Sequence, residues 1–280
     1  MITTNYHTHC RYCDGFGEPE EYVQEAIKQG FSAIGFSSHA PLPFYVDFVM
    51  ENDRLDEYCA SIRALRKKYR GQIEIYLGLE IDYVPGMVGP ASSRFADLGL
   101  DYTIGSVHLI RNDQSGEFLG VDGTPEEYER LIYEVCGGEM AKFGAKYFSM
   151  IRTMVREHRP GIVGHLDLLK KLNRANKYFR EEEPWYRAEI VQTLAVVAQA
   201  GSVLEVNTGG ISRGYIDVPY PSQWVLAEAK KLGIPVTISS DAHRPQNVAS
   251  YFEIAVNSLR AAGYREQTIL KEGKWLTVSL

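Results

Sequence analysis

The sequence has little cysteine. Cys10, Cys13, Cys59 and Cys136 are the only thiols in 280 residues. So few for this length read as reduced thiols, which excludes a disulfide-stapled secreted scaffold and points to the cytoplasm. No stretch reaches the roughly 18 apolar residues that a membrane span requires. The opening Met-Ile-Thr-Thr-Asn lacks a basic segment followed by an apolar one, so no secretion signal is expected. Positive charge is not in excess either. The net charge of −6 argues against broad binding to nucleic acid, which needs a basic surface. An anionic substrate stays compatible, because bound cations and a few local Lys or Arg residues can make an acidic protein locally positive. Internal repeats, low-complexity tracts and linkers are also missing.

What is present is an ordinary globular composition, 45% hydrophobic and 24% charged. The length suits one large domain or two small ones. Strand and helix signals alternate along the chain. Short apolar strand signals fall at 1–6, 31–37, 73–81, 101–107, 162–164, 203–206 and 234–240. Helical stretches are expected at 19–29, 53–69, from Thr124-Pro125 onward, 141–158, 184–200, 223–232 and 247–262. Seven short strands joined through helices imply parallel neighbours buried on both faces. The expected fold is therefore α/β, a nearly closed seven-stranded barrel forming one domain over 1–280, with a doubly wound open sheet as the alternative.

Metal-capable residues recur at the strand ends. His7 and His9, two apart in an extended segment, project to the same face. His39 follows the second strand, and Glu80 closes the third. His108 follows the fourth, His165 the fifth, and Asp241 and His243 the seventh. In an α/β barrel these C-terminal strand ends converge on one mouth. Of the seven histidines only His158, near a helix end in Arg156-Glu157-His158-Arg159, falls elsewhere, where a solvated role is expected. Imidazole and carboxylate donors suit zinc, manganese or iron. They are too many for one ion, so two or three divalent metals are expected. A metal site of this kind activates water and neutralises phosphate charge, which favours phosphate-ester hydrolysis, with amide hydrolysis as the chemical competitor.

The set His7-Thr8-His9, Asp14, Ser38-His39, Gly78-Leu79-Glu80, Gly105-Ser106-Val107-His108, Gly164-His165-Leu166-Asp167 and Ser240-Asp241-Ala242-His243 resembles the polymerase-and-histidinol-phosphatase (PHP) superfamily. Residues 101–108 and 164–171 resemble its histidinol-phosphatase branch. The resemblance implies a distorted TIM-like barrel of seven strands and a three-metal centre. It implies His7, His9, Glu80 and Asp241 on a first metal, and His108 and His165 on a second, with Glu80 bridging. Asp14, His39 and His243 would hold a third, Asp14 standing where the wider superfamily often has histidine. The implied reaction is hydrolysis of L-histidinol phosphate to L-histidinol and phosphate in histidine biosynthesis, with Glu80, His108, Asp241 and His243 as catalytic residues.

The substrate is then a small phosphate ester, with no nucleic-acid or membrane partner expected. Its phosphate needs cationic donors besides the metals. Arg213, after the glycines of Asn207-Thr208-Gly209-Gly210, can hold phosphate oxygens bidentately. Lys170 is the expected second contact, because the family often carries arginine there. Lys171 lies near the same mouth. Phe44, Tyr45 and Phe48 are candidate pocket walls. Cys10-Arg11-Tyr12-Cys13 has the CxxC spacing without a second cysteine pair, and Ser106 and Ser240 lack a nucleophile-elbow context. The competing functions are a PHP-type phosphoesterase acting on nucleotides, nucleic-acid ends or phosphotyrosine, and a metal-binding protein without turnover.

Overall fold

Seven short strands form the sheet in a computed structural model that describes residues 2–280. They are β1 (Thr4–Asn5), β2 (Ala33–Phe36), β3 (Glu74–Asp82), β4 (Tyr102–Ser106), β5 (Ile162–Val163), β6 (Val203–Asn207) and β7 (Val236–Ser239). Every neighbouring pair is parallel, and the spatial order follows the chain order. The strands are buried almost throughout, as expected for a parallel sheet covered by helices. Of the expected first strand, Met1 lies outside the described residues, and the strand itself is only Thr4–Asn5.

The ring closes through the segments just beyond β1 and β7. Thr8 forms a parallel bridge with Ala242. The His9 amide donates to the Ala242 carbonyl at 2.9 Å, and the Ala242 amide donates to the His7 carbonyl at 3.2 Å. Asn5 Nδ2 reaches Ser240 Oγ at 2.7 Å. The result is a distorted seven-stranded barrel whose two ends meet at the residues that follow the first and last strands.

Helices cover the outside. Pro184–Ala200 starts with proline at its first position, where no amide partner is needed, and stops at Gly201 in the left-handed region (φ 71°). Pro125–Arg130 begins with a capping box in which Thr124 accepts from the Glu127 amide and Glu127 accepts from the Thr124 amide. Such a cap is worth about 1 kcal/mol, and here it also shapes the turn leading out of the 118–120 strand. The last helix differs from expectation. It covers Phe252–Ala261 and not 247–262, because Pro245–Asn247 is a separate 3₁₀ turn and Tyr251 adopts a left-handed conformation (φ 61°) that interrupts the run. Among the described residues, no helix is long and apolar enough to cross a membrane.

Inside the barrel sits a compact layer of Tyr6, Tyr76, Tyr102, Ile104, Ile162 and Val203. Gly78 makes room for it, since a Cβ there would lie 2.5 Å from Tyr102 Cζ. A hairpin that the sequence reading did not anticipate, Glu266–Lys271 with Lys274–Ser279, seals this layer from below. Tyr6 Oη donates to the Leu270 carbonyl at 3.1 Å and accepts from the Leu270 amide at 2.9 Å. Trp275 packs edge-on against Tyr6. The closed bottom leaves the opposite mouth, at the C-terminal strand ends, as the open end. A second unanticipated hairpin, Leu109–Arg111 with Phe118–Gly120, rises beside that mouth directly after His108.

Candidate metal centre

Glu80, fully buried near the end of β3, lies at the middle of the mouth. Its Oε2 is 3.1 Å from His7 Nε2, 3.4 Å from His9 Nε2 and 3.2 Å from His39 Nδ1. Its Oε1 is 2.9 Å from His165 Nε2 and 3.6 Å from His108 Nε2, and it accepts from Ser106 Oγ at 2.6 Å. One carboxylate thus faces histidines from β1, β2, β4 and β5. Asp241 Oδ1 approaches from the other side, 3.3 Å from His9 Nε2 and 3.7 Å from His7 Nε2. Asp14 Oδ2 lies 3.2 Å from His243 Nε2, and its Oδ1 lies 3.8 Å from His9 Nδ1 and 4.0 Å from His39 Nε2.

Four overlapping sets of donor atoms lie within 4.8 Å of one another: His7, Glu80 and His165; His7, His9 and Asp241; His39, Glu80 and His108; and His9, Asp14, His39 and His243. All nine residues expected as ligands are therefore gathered in one place. The sets cut across the three implied by resemblance, with His9 joining Asp14, His39 and His243.

The donor chemistry fits bound cations. His9 Nε2 and His39 Nδ1 are buried and, although carboxylate oxygens lie 3.2 to 3.4 Å away, form no well-aligned hydrogen bond among the described residues. A buried polar atom left this way costs about 1–3 kcal/mol, so a missing electrophilic partner is the natural complement. Carboxylates behind the histidines aim the lone pairs. Asp82 Oδ1 lies 2.9 Å from His108 Nδ1, and Glu205 Oε1 lies 2.5 Å from His7 Nδ1. A carboxylate accepting from Nδ1–H leaves Nε2 with its lone pair directed into the cluster.

Electrostatics point the same way. Burial and the neighbouring His243 and His39 pull the His9 pKa down to about 3. Burial opposes charge on His7, but Glu205, Glu80 and Asp241 outweigh it and raise its pKa well above the ordinary value. Burial likewise opposes ionisation of Glu80, yet His7, His39 and His108 hold its carboxyl well below the usual range. For Asp241, Arg213 and His7 overcome the same opposition. The two central carboxylates are anionic because positive charge surrounds them, a role that divalent ions fill directly.

Asp241 sits in the left-handed region (φ 50°). Arg213 fastens it there: Nη2 donates to Asp241 Oδ2 at 2.8 Å, and Nη1 donates to the Asp241 carbonyl at 3.1 Å. Gly209 must lack a side chain, since a Cβ would lie 2.7 Å from Asp241 Oδ2. The close approach that Gly209 permits is thus to Asp241, whereas Gly210 makes room for Tyr220 and Ile216. Arg213 lines a cleft of about 690 Å³ above the cluster, together with Lys171, Phe48, Phe118, Asp122 and Tyr215.

Lys170 differs from expectation. It is buried, and its Nζ lies 2.8 Å from Asp167 Oδ2, 2.6 Å from Ser222 Oγ and 3.0 Å from the Pro219 carbonyl. Three acceptors satisfy its three protons, and the side chain does not line the cleft. The 3₁₀ turn Leu168–Lys170 directs adjacent lysines to different sides, and Lys171 faces the cleft, paired with Asp122 at 2.7 Å and lying over the Tyr215 ring. The aromatics divide as well. Phe48 packs against His39 and His108, whereas Phe44 stacks on Phe118 of the hairpin with ring centres 3.9 Å apart. All four cysteines are free, and Cys13 Sγ lies 3.4 Å from His9 Nδ1. His158 is not simply solvated: its Nδ1 accepts from the Ala91 amide, and its ring packs on Tyr83.

Glu205, Asp82 and Asp122 join the site beyond the residues expected from the sequence. A signal existed for the first two. Glu205 interrupts the apolar run Val203-Leu204-Glu205-Val206, and Asp82 follows Glu80 by two on the same strand face. A charge inside a strand buried on both faces needs a partner.

The PHP domain model matches residues 5–209. The histidinol-phosphatase of Bacillus subtilis is 32% identical over 261 residues, covering 88% of this chain and 96% of the relative. A solved structure of the Lactococcus lactis histidinol phosphate phosphatase, complexed with zinc, L-histidinol and phosphate, superposes with a TM-score of 0.72. It covers 98% of each chain at 22% identity, so its likeness speaks to the fold. Barrel, histidine constellation, family model and full-length relative agree: the chain belongs to the PHP family, in its histidinol-phosphatase branch.

Proposed function

We propose that this chain is a metal-dependent phosphomonoesterase that hydrolyses L-histidinol phosphate to L-histidinol and phosphate, residues 1–280 acting as one catalytic domain. The observation that carries the reading is the convergence of six histidines on Glu80 and Asp241, with His9 Nε2 and His39 Nδ1 buried and without a well-aligned hydrogen bond among the described residues. Full-length similarity to the histidinol-phosphatase of Bacillus subtilis supports the substrate.

His7, His9, Asp14, His39, Glu80, His108, His165, Asp241 and His243 would hold two or three divalent ions. Imidazole and carboxylate donors suit zinc, manganese or iron, and the zinc in the Lactococcus lactis complex favours zinc. Ions bound here supply Lewis acidity and water activation. Glu80 presents one oxygen to each side of the cluster and so ties the donor sets together. Asp82 and Glu205 keep His108 and His7 in the tautomer that binds. Arg213, whose Nη1 and Nη2 each donate one bond to Asp241, offers its remaining N–H groups to phosphate oxygens, and Lys171, paired with Asp122, offers a point charge. Phe48 covers His39 and His108 and keeps bulk water off that side.

The test is parallel turnover of L-histidinol phosphate, nucleoside monophosphates and phosphotyrosine by metal-replete protein. The expected result is the highest kcat/KM for L-histidinol phosphate. A higher value for either of the others contradicts the substrate assignment.

A further inference from the structure

Six carboxylates line the cleft: Glu80 and Asp241 belong to the metal cluster, and of the other four, three are occupied. Asp14 lies 3.2 Å from His243. Asp122 pairs with Lys171 at 2.7 Å. Glu127 accepts from the Gly120 amide at 3.2 Å and the Thr124 amide at 2.9 Å. The fourth, Asp47, is exposed at the cleft wall and has no hydrogen-bond or ion-pair partner among the described residues.

Its place is well defined. Asp47 belongs to the loop after β2. The Met50 amide holds that loop to the His39 carbonyl at 3.1 Å, and Phe44 holds it to the hairpin through Phe118. The next residue, Phe48, rests on His39 and His108. Arg213 and Lys171 follow β6 and β5. In a ring of seven strands, β2 lies nearly opposite them. An ester whose phosphate faces these two cations and the metal cluster therefore directs its alcohol portion toward the 44–48 loop.

Resting on the proposed function, we infer that Asp47 is a specificity-determining residue that receives the α-ammonium of the substrate. The cleft then reads a dipolar ester: anionic at the end that meets Arg213 and Lys171, cationic at the end that meets Asp47. Because Asp47 is exposed, its contribution is modest and falls with added salt.

The test compares L-histidinol phosphate with its des-amino analogue, 3-(imidazol-4-yl)propyl phosphate, using wild type, Asp47→Asn and Asp47→Glu, all metal-replete. In Asp47→Asn, the preference for the ammonium-bearing ester, taken as the ratio of the two kcat/KM values, should fall about fivefold, the upper range for an exposed ion pair. Asp47→Glu should retain most of it. The wild-type preference should shrink as ionic strength rises. Hydrolysis of both esters with an unchanged ratio in Asp47→Asn overturns the role of Asp47 alone. Hydrolysis of neither ester by wild type overturns the functional reading and this inference with it.

Discussion

Glu205 Oε1 lies 2.5 Å from His7 Nδ1, with both side chains fully buried. The other oxygen of the same carboxylate accepts from the His165 amide at 2.8 Å and from Asn207 Nδ2 at 3.1 Å. Glu205 thus stands behind two candidate ligands at once and fixes the tautomer of one of them. Replacing it with glutamine keeps the shape but removes the charge that favours Nδ1–H on His7. Partners of this kind are worth roughly 10- to 100-fold in metal affinity or activity. Glu205→Gln should weaken metal binding by that order in a chelator-competition titration, while circular dichroism stays unchanged. Metal affinity equal to wild type would show that His7 needs no support from Glu205.

The neighbouring lysines 170 and 171 should separate stability from substrate binding. Lys170→Met strips the buried Asp167 of its counter-charge, and such losses cost about 3–5 kcal/mol. The urea midpoint should drop accordingly. Lys171→Met removes a cation from the cleft and only a partly exposed pair with Asp122. Its main effect should be a several-fold rise in KM with the urea midpoint nearly unchanged. The reverse pattern would return the phosphate contact to Lys170.

Arg213 holds Asp241 at a positive φ, and in the proposed function it also binds phosphate. A charge-assisted contact is worth about 1.5–3 kcal/mol, so Arg213→Ala should lower kcat/KM roughly 10- to 150-fold. Arg213→Lys should recover part of this, because charge returns without the planar fork. If steady-state kinetics of Arg213→Ala match wild type, Arg213 plays no part in the site.

Much of this was legible in the sequence because it is local. Strand–helix alternation placed the strands, and the period of two placed His7 beside His9. Proline at the start and glycine at the end marked Pro184–Ala200 to the residue. The remainder depends on contacts that no local pattern encodes. Glu205 announced itself as a charge in an apolar strand, but not that it faced His7, 198 residues away. Whether Lys170 or Lys171 enters the cleft turns on the phase of one 3₁₀ turn. The terminal hairpin packs against Tyr6, 264 residues from Leu270, so its role becomes visible only once the barrel exists. Closure of the ring, Thr8 against Ala242, is equally nonlocal.

The most direct test is release of phosphate from L-histidinol phosphate by metal-stripped protein titrated with zinc, manganese or iron. Protein treated with EDTA should be inactive. Activity should return with added metal and level off between two and three equivalents per chain. Full activity in the stripped protein, or a plateau at one equivalent, would contradict a polynuclear centre built on Glu80 and Asp241.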